Sequence, residues 1–147
     1  MIPPPPILLV EDSDSDAELT ILALQNANVA NPIVRVEDGA EALDYLHGSA
    51  ESGSTPPRAL PSVILLDINL PRVSGHDVLK AIRNDERTTL LPVVILTSSA
   101  EDRDRFTAYQ HRANSYVQKP VSYQQFMESV RQLGLYWLVM NMPSPQN

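Results

Sequence analysis

The sequence contains no cysteine, which excludes structural disulfides, thiolate catalysis and thiolate metal sites. Basic residues are also scarce, because 11 lysines and arginines stand against 18 acidic residues and leave a net charge of −7. Nucleic acids and anionic membrane surfaces both attract faces that are rich in lysine and arginine. The composition therefore disfavours nucleic acid and membranes as partners.

Long apolar runs and glycine-rich motifs are missing as well. No run approaches the roughly 18 apolar residues of a membrane span. The N-terminal segment has no basic start, so it does not have the form of a secretory signal, and a cytoplasmic protein is expected. Gly48 and Gly53 belong to no phosphate-binding motif and GxxxxGK does not occur, which argues against a nucleotide site.

The 147 residues suit one domain, in which apolar runs of strand length alternate with helical segments. The first, third and fourth runs are continuously apolar, as expected for strands that are covered on both faces. Repeated β-α units predict an α/β fold with a doubly wound parallel sheet and helices on both faces. The five predicted strands are ILLV (7–10), IVRV (33–36), VILLD (63–67), VVILT (93–97) and SYVQK (115–119).

The helical segments carry start and stop signals. Three of them have a serine followed by an acid three residues later, namely Ser15 with Glu18, Ser74 with Asp77 and Ser99 with Asp102. Gly48 is a plausible helix end, and a last helix is expected to start near Ser122. Residues 1–6 are predicted to be a proline-rich lead-in, and residues 49–61 a loop.

Polar residues stand at the predicted strand ends. In a doubly wound sheet, ligands bind outside the carboxyl ends of the strands, so these residues are expected to meet in one crevice. Taken singly, each has an ordinary structural explanation, such as a helix cap or a solvated strand end. Their joint occurrence indicates a site formed by Glu11, Asp12, Asp67, Thr97 and Lys119.

Three carboxylates in one crevice repel one another, and a single lysine cannot neutralise them all. The expected occupant is Mg²⁺, a hard cation that accepts one or two carboxylates together with water and phosphate oxygens. A divalent cation, a lysine and a hydroxyl around a carboxylate are also what phosphoryl transfer to that carboxylate requires. Asp67, at the end of an apolar strand, is therefore predicted to be a phosphate acceptor that is kept ionised by Mg²⁺ and Lys119.

Four segments together resemble the receiver domain of two-component response regulators. They are VED at 10–12, LLDINLPRVSG at 65–75, VVILTSS at 93–99 and SYVQKP at 115–120. The resemblance extends over residues 7–133 and implies a flavodoxin-like sheet with strand order 2-1-3-4-5. It also implies a signalling module and not an enzyme, with a sensor histidine kinase as its partner.

The resemblance implies a role for each matching residue. Asp67 would be phosphorylated, and Asp12 and Asp67 would bind Mg²⁺ directly. Glu11 would contact the metal ion through water, and the backbone carbonyl of Asn69 would bind it. Thr97 and Lys119 would contact the phosphoryl group, and Thr97 and the aromatic ring of Tyr116 would move on activation. The peptide bond before Pro120 would be cis.

Within the receiver family, the chain is similar to the single-domain regulators of bacterial and cyanobacterial phytochrome kinases. Two other functions remain open. A haloacid-dehalogenase-like phosphatase also uses a strand-end aspartate with Mg²⁺, although Asn69 stands where that family usually has a second aspartate. A phosphorylation-independent adaptor on a receiver fold usually lacks one of the five site residues, and none is missing here.

Residues 134–147 are predicted to form an apolar C-terminal extension with a short tail. Its apolar side chains are too many for a segment that is exposed to water, so the extension is expected either to fold over its own domain or to form a homodimer interface. In the second case, Tyr136, Trp137 and Leu138 would be the contacts, with the two aromatic residues as anchors.

Overall fold

Strands and helices alternate along the chain in the computed structural model, which describes residues 5–26, 29, 31–48, 53, 60–98 and 115–133. The first half contains β1 (Ile7–Val10), α1 (Asp14–Asn26), β2 (Ile33–Val36) and α2 (Gly39–His47). The second half contains β3 (Val63–Asp67), α3 (Gly75–Asn84), β4 (Val93–Thr97), β5 (Ser115–Gln118) and a helix numbered α4 here (Tyr123–Leu133). The predicted strands are confirmed, with the fifth ending one residue earlier than expected.

One five-stranded sheet connects these elements, in the order β2-β1-β3-β4-β5 with every neighbouring pair parallel. The register pairs Val10 of β1 with Leu66 of β3, and Asp67 with Leu96 of β4. The carboxyl ends of the strands therefore lie along one edge of the sheet. The predicted doubly wound α/β fold and its strand order are both confirmed.

The sheet separates two apolar layers, because successive side chains of a strand point to opposite faces. On one face, Leu9 and Leu65 pack with α1 and α4, and the largest buried side chain of this layer is Phe126 on α4. On the other face, Leu66 packs with α2 and α3 in a second cluster. Since β1, β3 and β4 are buried along their whole length, their continuously apolar sequences are explained.

Four of the predicted cap signals fall on described helix ends, and three of them agree with the structure. Ser74 and Ser122 accept hydrogen bonds from backbone N–H groups at the start of α3 and α4, as predicted. Gly48 ends α2 with a φ of 78°, which a glycine adopts easily. The prediction for α1 is wrong, because the hydroxyl of Ser13, and not that of Ser15, accepts the hydrogen bond from Asp16 N.

Two glycines allow loops at the carboxyl edge of the sheet to approach one another closely. A Cβ on Gly39 would lie 2.6 Å from the carbonyl oxygen of Val73, and a Cβ on Gly75 would lie 2.6 Å from that of Asp67. Neither distance is possible for a larger residue unless the backbone moves. The starts of α2 and α3 are therefore pressed against the loop that follows β3.

Several predictions concern residues outside the described part of the chain. These are the helix expected from Ser99, the start of the proline-rich lead-in, most of the 49–61 loop and the extension that contains Tyr136, Trp137 and Leu138. The division of the chain into residues 1–6, 7–133 and 134–147 thus stays a prediction. None of the described helices has the length and apolar character needed to cross a bilayer.

Asp38 provides a test of how α2 is anchored. Its Oδ1 accepts a hydrogen bond from Glu41 N at 2.9 Å, and its Oδ2 accepts one from the Arg72 guanidinium at 2.6 Å. The bond from Arg72, followed by the one from the Glu41 amide, lowers the pKa of Asp38 below its ordinary value of 3.8. Asp38→Ala is expected to lower the free energy of unfolding by about 0.5–2 kcal/mol at neutral pH.

Asp38→Asn is the matched control, because asparagine keeps the cap but does not titrate. A carboxyl group with a lowered pKa in the folded state stabilises the protein above its unfolded pKa, and this stabilisation is lost as the pH falls. In urea unfolding, the advantage of the wild type over Asp38→Asn should therefore shrink below pH 3.8. An advantage that grows in acid would contradict the assignment.

Candidate functional site

Three acidic side chains meet at the carboxyl edge of the sheet. Glu11 and Asp12 follow β1, and Asp67 is the last residue of β3, which lies beside β1 in the sheet. Their carboxylate oxygens can be chosen so that all lie within 4.8 Å of one another. The cluster predicted from the strand ends is thus present, and its oxygen donors suit a hard divalent cation.

Lys119 brings the opposite charge into this cluster. It directly follows β5, and its backbone N–H donates to the carbonyl oxygen of Thr97 at 2.7 Å. Its Nζ lies 2.9 Å from Glu11 Oε1, 3.1 Å from Asp16 Oδ2 and 3.3 Å from Asp67 Oδ2. The peptide bond between Lys119 and Pro120 is cis, as the resemblance implied.

Glu11 is fully buried, and both of its carboxylate oxygens accept hydrogen bonds. Oε1 accepts from Lys119, and Oε2 accepts from the backbone N–H of Ser13 at 3.2 Å. Burial raises the pKa of Glu11 to about 7, helped by the nearby charge of Asp67 and opposed by Lys119. This carboxyl group therefore keeps its proton to a higher pH than an exposed glutamate does.

Asp12 differs from Glu11 in exposure and in contacts. Its side chain is exposed, and among the described residues no hydrogen bond or ion pair engages its carboxylate. A carboxylate in this situation can turn toward a cation without breaking an existing contact. This arrangement fits the predicted roles, in which Asp12 binds a metal ion directly and Glu11 acts through water.

Asp67 is only 3% exposed, and each of its two carboxylate oxygens has a hydrogen-bond partner. Oδ1 accepts a hydrogen bond from Asn69 N at 3.0 Å, and Oδ2 faces Lys119. Gly75 N donates to the carbonyl oxygen of Ile68, which draws the start of α3 against this loop. These contacts explain how an acid can end one of the most buried strands of the sheet.

Thr97 lies on β4, which is next to β3, and Tyr116 lies on β5, which is next to β4. Thr97 is buried at the end of β4, beside the strand end that carries Asp67. Tyr116 on β5 pairs with Ile95 of β4 and packs against the apolar layer that contains α2 and α3. Both residues are where the sequence placed them, and their switching role stays a prediction.

Lys119 remains charged despite its burial. Burial alone would lower its pKa, but the hydrogen bonds from Lys119 to Glu11 and Asp16 and the negative charge of Asp67 outweigh that effect. The pKa of Lys119 is therefore raised above its ordinary value. Among the described residues, Lys119 contacts three acids and Asp12 lies beside them, so the site keeps an excess of negative charge that a bound divalent cation would reduce.

Two residues of the site were not predicted from the sequence. Asp16, in the first turn of α1, reaches Lys119. Arg35 on β2 donates from Nε and Nη2 to the carbonyl oxygen of Glu11 at 3.0 and 2.9 Å, and from Nη1 to Asp14 Oδ1 at 2.8 Å. Arg35 is a charged residue inside an otherwise apolar strand, and this could have identified it as part of the site. The contact between Asp16 and Lys119 could not be predicted from the position of Asp16 in the sequence.

Comparisons with known proteins point to one family. Residues 7–131 match the response regulator receiver domain family. The probable methanogenesis regulatory protein FilR2 of Methanothrix harundinacea is 41% identical over 92% of this chain and 84% of its own length. The response regulator Rcp1 of Synechocystis is 32% identical over 92% of this chain and 90% of its own length.

Solved structures show the same likeness. The bacteriophytochrome response regulator AtBRR is 41% identical, with a TM-score of 0.86 over 95% of this chain and 99% of that protein. The Mn²⁺-bound form of Rcp1 has a TM-score of 0.71 at 31% identity, over 97% of this chain and 100% of that protein. The chain is therefore similar to phytochrome-associated regulators, as its sequence suggested.

The raised pKa of Glu11 predicts how stability depends on pH in metal-free protein. A carboxyl group whose pKa is higher in the folded state stabilises the protein fully below its unfolded pKa of 4.5, and this stabilisation is lost as the pH rises through about 7. Glu11→Gln cannot titrate. Its free energy of unfolding relative to the wild type should therefore increase with pH in this window, by at most about 1.4 kcal/mol per pH unit.

The measurement is urea unfolding of both proteins with a chelator present, at several pH values between 4.5 and 7. Asp77→Asn is a suitable control, because this exposed acid lies in the first turn of α3 and does not belong to the cluster. A difference between the wild type and Glu11→Gln that stays constant over this range would contradict the raised pKa.

Proposed function

The chain belongs to the response regulator receiver domain family, and from this premise we propose that it accepts a phosphoryl group on Asp67 from a sensor histidine kinase. The reaction is proposed to depend on Mg²⁺ and to signal through a change in conformation. The similarity of the chain to the bacteriophytochrome response regulator AtBRR supports a kinase of the phytochrome type.

The observation that carries this proposal is the environment of the Asp67 carboxylate. It is nearly inaccessible to solvent, faces the Lys119 ammonium at 3.3 Å and lies within the oxygen cluster formed with Glu11 and Asp12. In a structural ion pair, one acid next to one lysine would be sufficient. Additional acids at the same point, which repel one another, are consistent with a site that binds a cation and a phosphoryl group.

The residues of the cluster fit Mg²⁺ by their chemistry, since this ion prefers oxygen ligands and is usually held by one or two carboxylates with water. Asp12 and Asp67 are proposed as the direct protein ligands, with the carbonyl oxygen of Asn69, while Glu11 would act through water. When bound, Mg²⁺ would neutralise charge on the oxygens of the transferred group.

The proposed phosphoryl transfer forms one bond to phosphorus and breaks another. A carboxylate oxygen of Asp67 forms a bond to phosphorus while the bond from phosphorus to the kinase imidazole nitrogen breaks, and that nitrogen keeps the electron pair and is then protonated. Lys119 stabilises negative charge on a phosphoryl oxygen, and the Thr97 hydroxyl donates a hydrogen bond to another. In hydrolysis, water attacks phosphorus and the free Asp67 carboxylate and phosphate are released.

A homodimer through Tyr136, Trp137 and Leu138 is also proposed, on the apolar character of residues 134–147 alone. These residues lie outside the part of the chain that the structure describes. Two-fold pairing would bring β4, β5 and the last helix of each subunit together, next to Thr97 and Tyr116. Phosphorylation would then adjust the dimer instead of an attached effector.

Asp67→Asn is expected to abolish phosphorylation and to preserve the fold, since it removes one charge from a crowded acidic cluster. Wild type, Asp67→Asn and Glu86→Gln would be incubated with Mg²⁺ and acetyl phosphate, and their intact masses followed over time. Glu86 is an exposed acid that follows α3, at the opposite edge of the sheet, and controls for loss of one charge.

Wild type and Glu86→Gln should gain one phosphoryl group transiently, whereas Asp67→Asn should gain none. A phosphorylated Asp67→Asn protein would contradict the assignment of the acceptor. Continuous turnover of a phosphate ester by the wild type, without a trapped adduct, would favour the phosphatase alternative.

Separate roles for Asp12 and Lys119 give a further prediction. Loss of an outer-shell partner typically weakens metal binding by roughly 10- to 100-fold. Asp12→Ala removes a direct ligand and should therefore weaken Mg²⁺ binding by more than that. Lys119→Ala should change Mg²⁺ affinity little but impair phosphorylation by acetyl phosphate. Titration calorimetry measures the first quantity and intact mass the second. Equal losses of Mg²⁺ affinity in the two variants would refute this division.

A further inference from the structure

The ammonium group of Lys119 has no free hydrogen-bonding capacity among the described residues. An ammonium has three N–H donors, and three carboxylates surround this one. Glu11 and Asp67 belong to the metal cluster, but Asp16 does not, although its Oδ2 lies 3.1 Å from Nζ. A phosphoryl oxygen that accepts a hydrogen bond from Lys119 therefore competes with these acceptors.

The three acceptors differ in how easily they can be displaced. The side chains of Glu11 and Asp67 are 0% and 4% exposed, whereas that of Asp16 is 37% exposed. A buried carboxylate that loses its partner stays unsolvated, which is unfavourable, but a carboxylate at the surface is hydrated by water. Asp16 is thus the acceptor that Lys119 gives up most easily.

The position of Asp16 is set by the loop that carries the metal cluster. Its backbone N–H donates to Ser13 Oγ at 3.2 Å, while Ser13 N donates to Glu11 Oε2. The next residue, Ala17, donates from its N–H to the carbonyl oxygen of Ser13 at 2.9 Å. The first turn of α1 therefore holds Asp16 at a defined place beside the site.

We infer that Asp16 is a positioning residue, which holds Lys119 in the unphosphorylated site and competes with the phosphoryl group for the same ammonium proton. This inference rests on the proposed function, because it presupposes a phosphoryl group on Asp67. A neutral amide at this position competes more weakly than a carboxylate for the donor of Lys119. Asp16→Asn therefore increases affinity for a phosphoryl group by about two- to fivefold, the range expected for a partly exposed ion pair.

The test measures the affinity for beryllofluoride, a tetrahedral phosphoryl analogue that binds carboxylate oxygen, at saturating Mg²⁺ by fluorine NMR. Wild type would be compared with Asp16→Asn, with Asp16→Glu and with Glu18→Gln. Glu18 lies on the same helix, is exposed and makes no ion pair with Lys119, so its variant controls for loss of one negative charge. Thermal unfolding verifies that each variant is folded.

The expected result is tighter binding in Asp16→Asn, with Asp16→Glu and Glu18→Gln close to the wild type. Equal gains in Asp16→Asn and Glu18→Gln would assign the effect to overall charge and overturn the inference. Weaker binding in Asp16→Asn would also overturn it, because Asp16 would then support the contact of Lys119 with the phosphoryl group.

A second comparison asks whether the effect passes through Lys119. In a Lys119→Ala background, Asp16→Asn should bring no gain in beryllofluoride affinity, and a gain that persists would overturn the inference.

The behaviour of the wild type tests the proposed function separately. If the wild type binds no beryllofluoride and gains no phosphoryl group from acetyl phosphate, the proposed function fails, whereas binding by the wild type without a specific effect of Asp16 refutes the inference alone.

Discussion

The structure of the site depends on the ammonium of Lys119 more than on any other group. It contacts Glu11, Asp16 and Asp67, which are 108, 103 and 52 residues away along the chain. Two of these acids are buried, and an unpaired buried carboxylate costs several kcal/mol. Lys119 reduces that cost at the point where α1 and the ends of β1, β3 and β5 meet. The apolar sheet can therefore end in acids and still fold.

Backbone contacts around the cluster set the positions of the two loops that carry the acids. Arg35 holds the carbonyl oxygen of Glu11 from β2, and each charge-assisted hydrogen bond of this kind contributes about 1.5–3 kcal/mol. Gly75 allows α3 to start against the backbone of Asp67. Both contacts act on main-chain atoms, so they fix the loops without engaging the carboxylates of Glu11, Asp12 and Asp67.

Similarity to known regulators supports the family and the chemistry of the site, but less directly the identity of the kinase. AtBRR is a bacteriophytochrome response regulator, whereas FilR2, which is equally identical in sequence, is a probable regulator of methanogenesis. The chemistry proposed at Asp67 and Lys119 does not depend on which kinase supplies the phosphoryl group.

The sequence by itself determined the strands, the class of fold and the members of the acidic cluster. Strands that are buried on both faces must be continuously apolar, so ILLV, VILLD and VVILT could be recognised with their bounds, and the acids at their ends were conspicuous. The start of α1 was predicted wrongly because Ser13 and Ser15 are both suitable caps by residue type. Only the path of the chain decides which hydroxyl faces the free N–H groups.

Only the tertiary structure decided which groups of the site contact one another. That Asp16 shares Lys119 with Glu11 and Asp67, and that Arg35 holds the carbonyl of Glu11, depends on how α1 and β2 pack beside β1. Hydrogen bonds form over about 3 Å, and positions along a sequence do not define distances on that scale. Sequence patterns report local conformation, whereas packing raises the pKa of Glu11 by burying it and raises the pKa of Lys119 by placing acids around it.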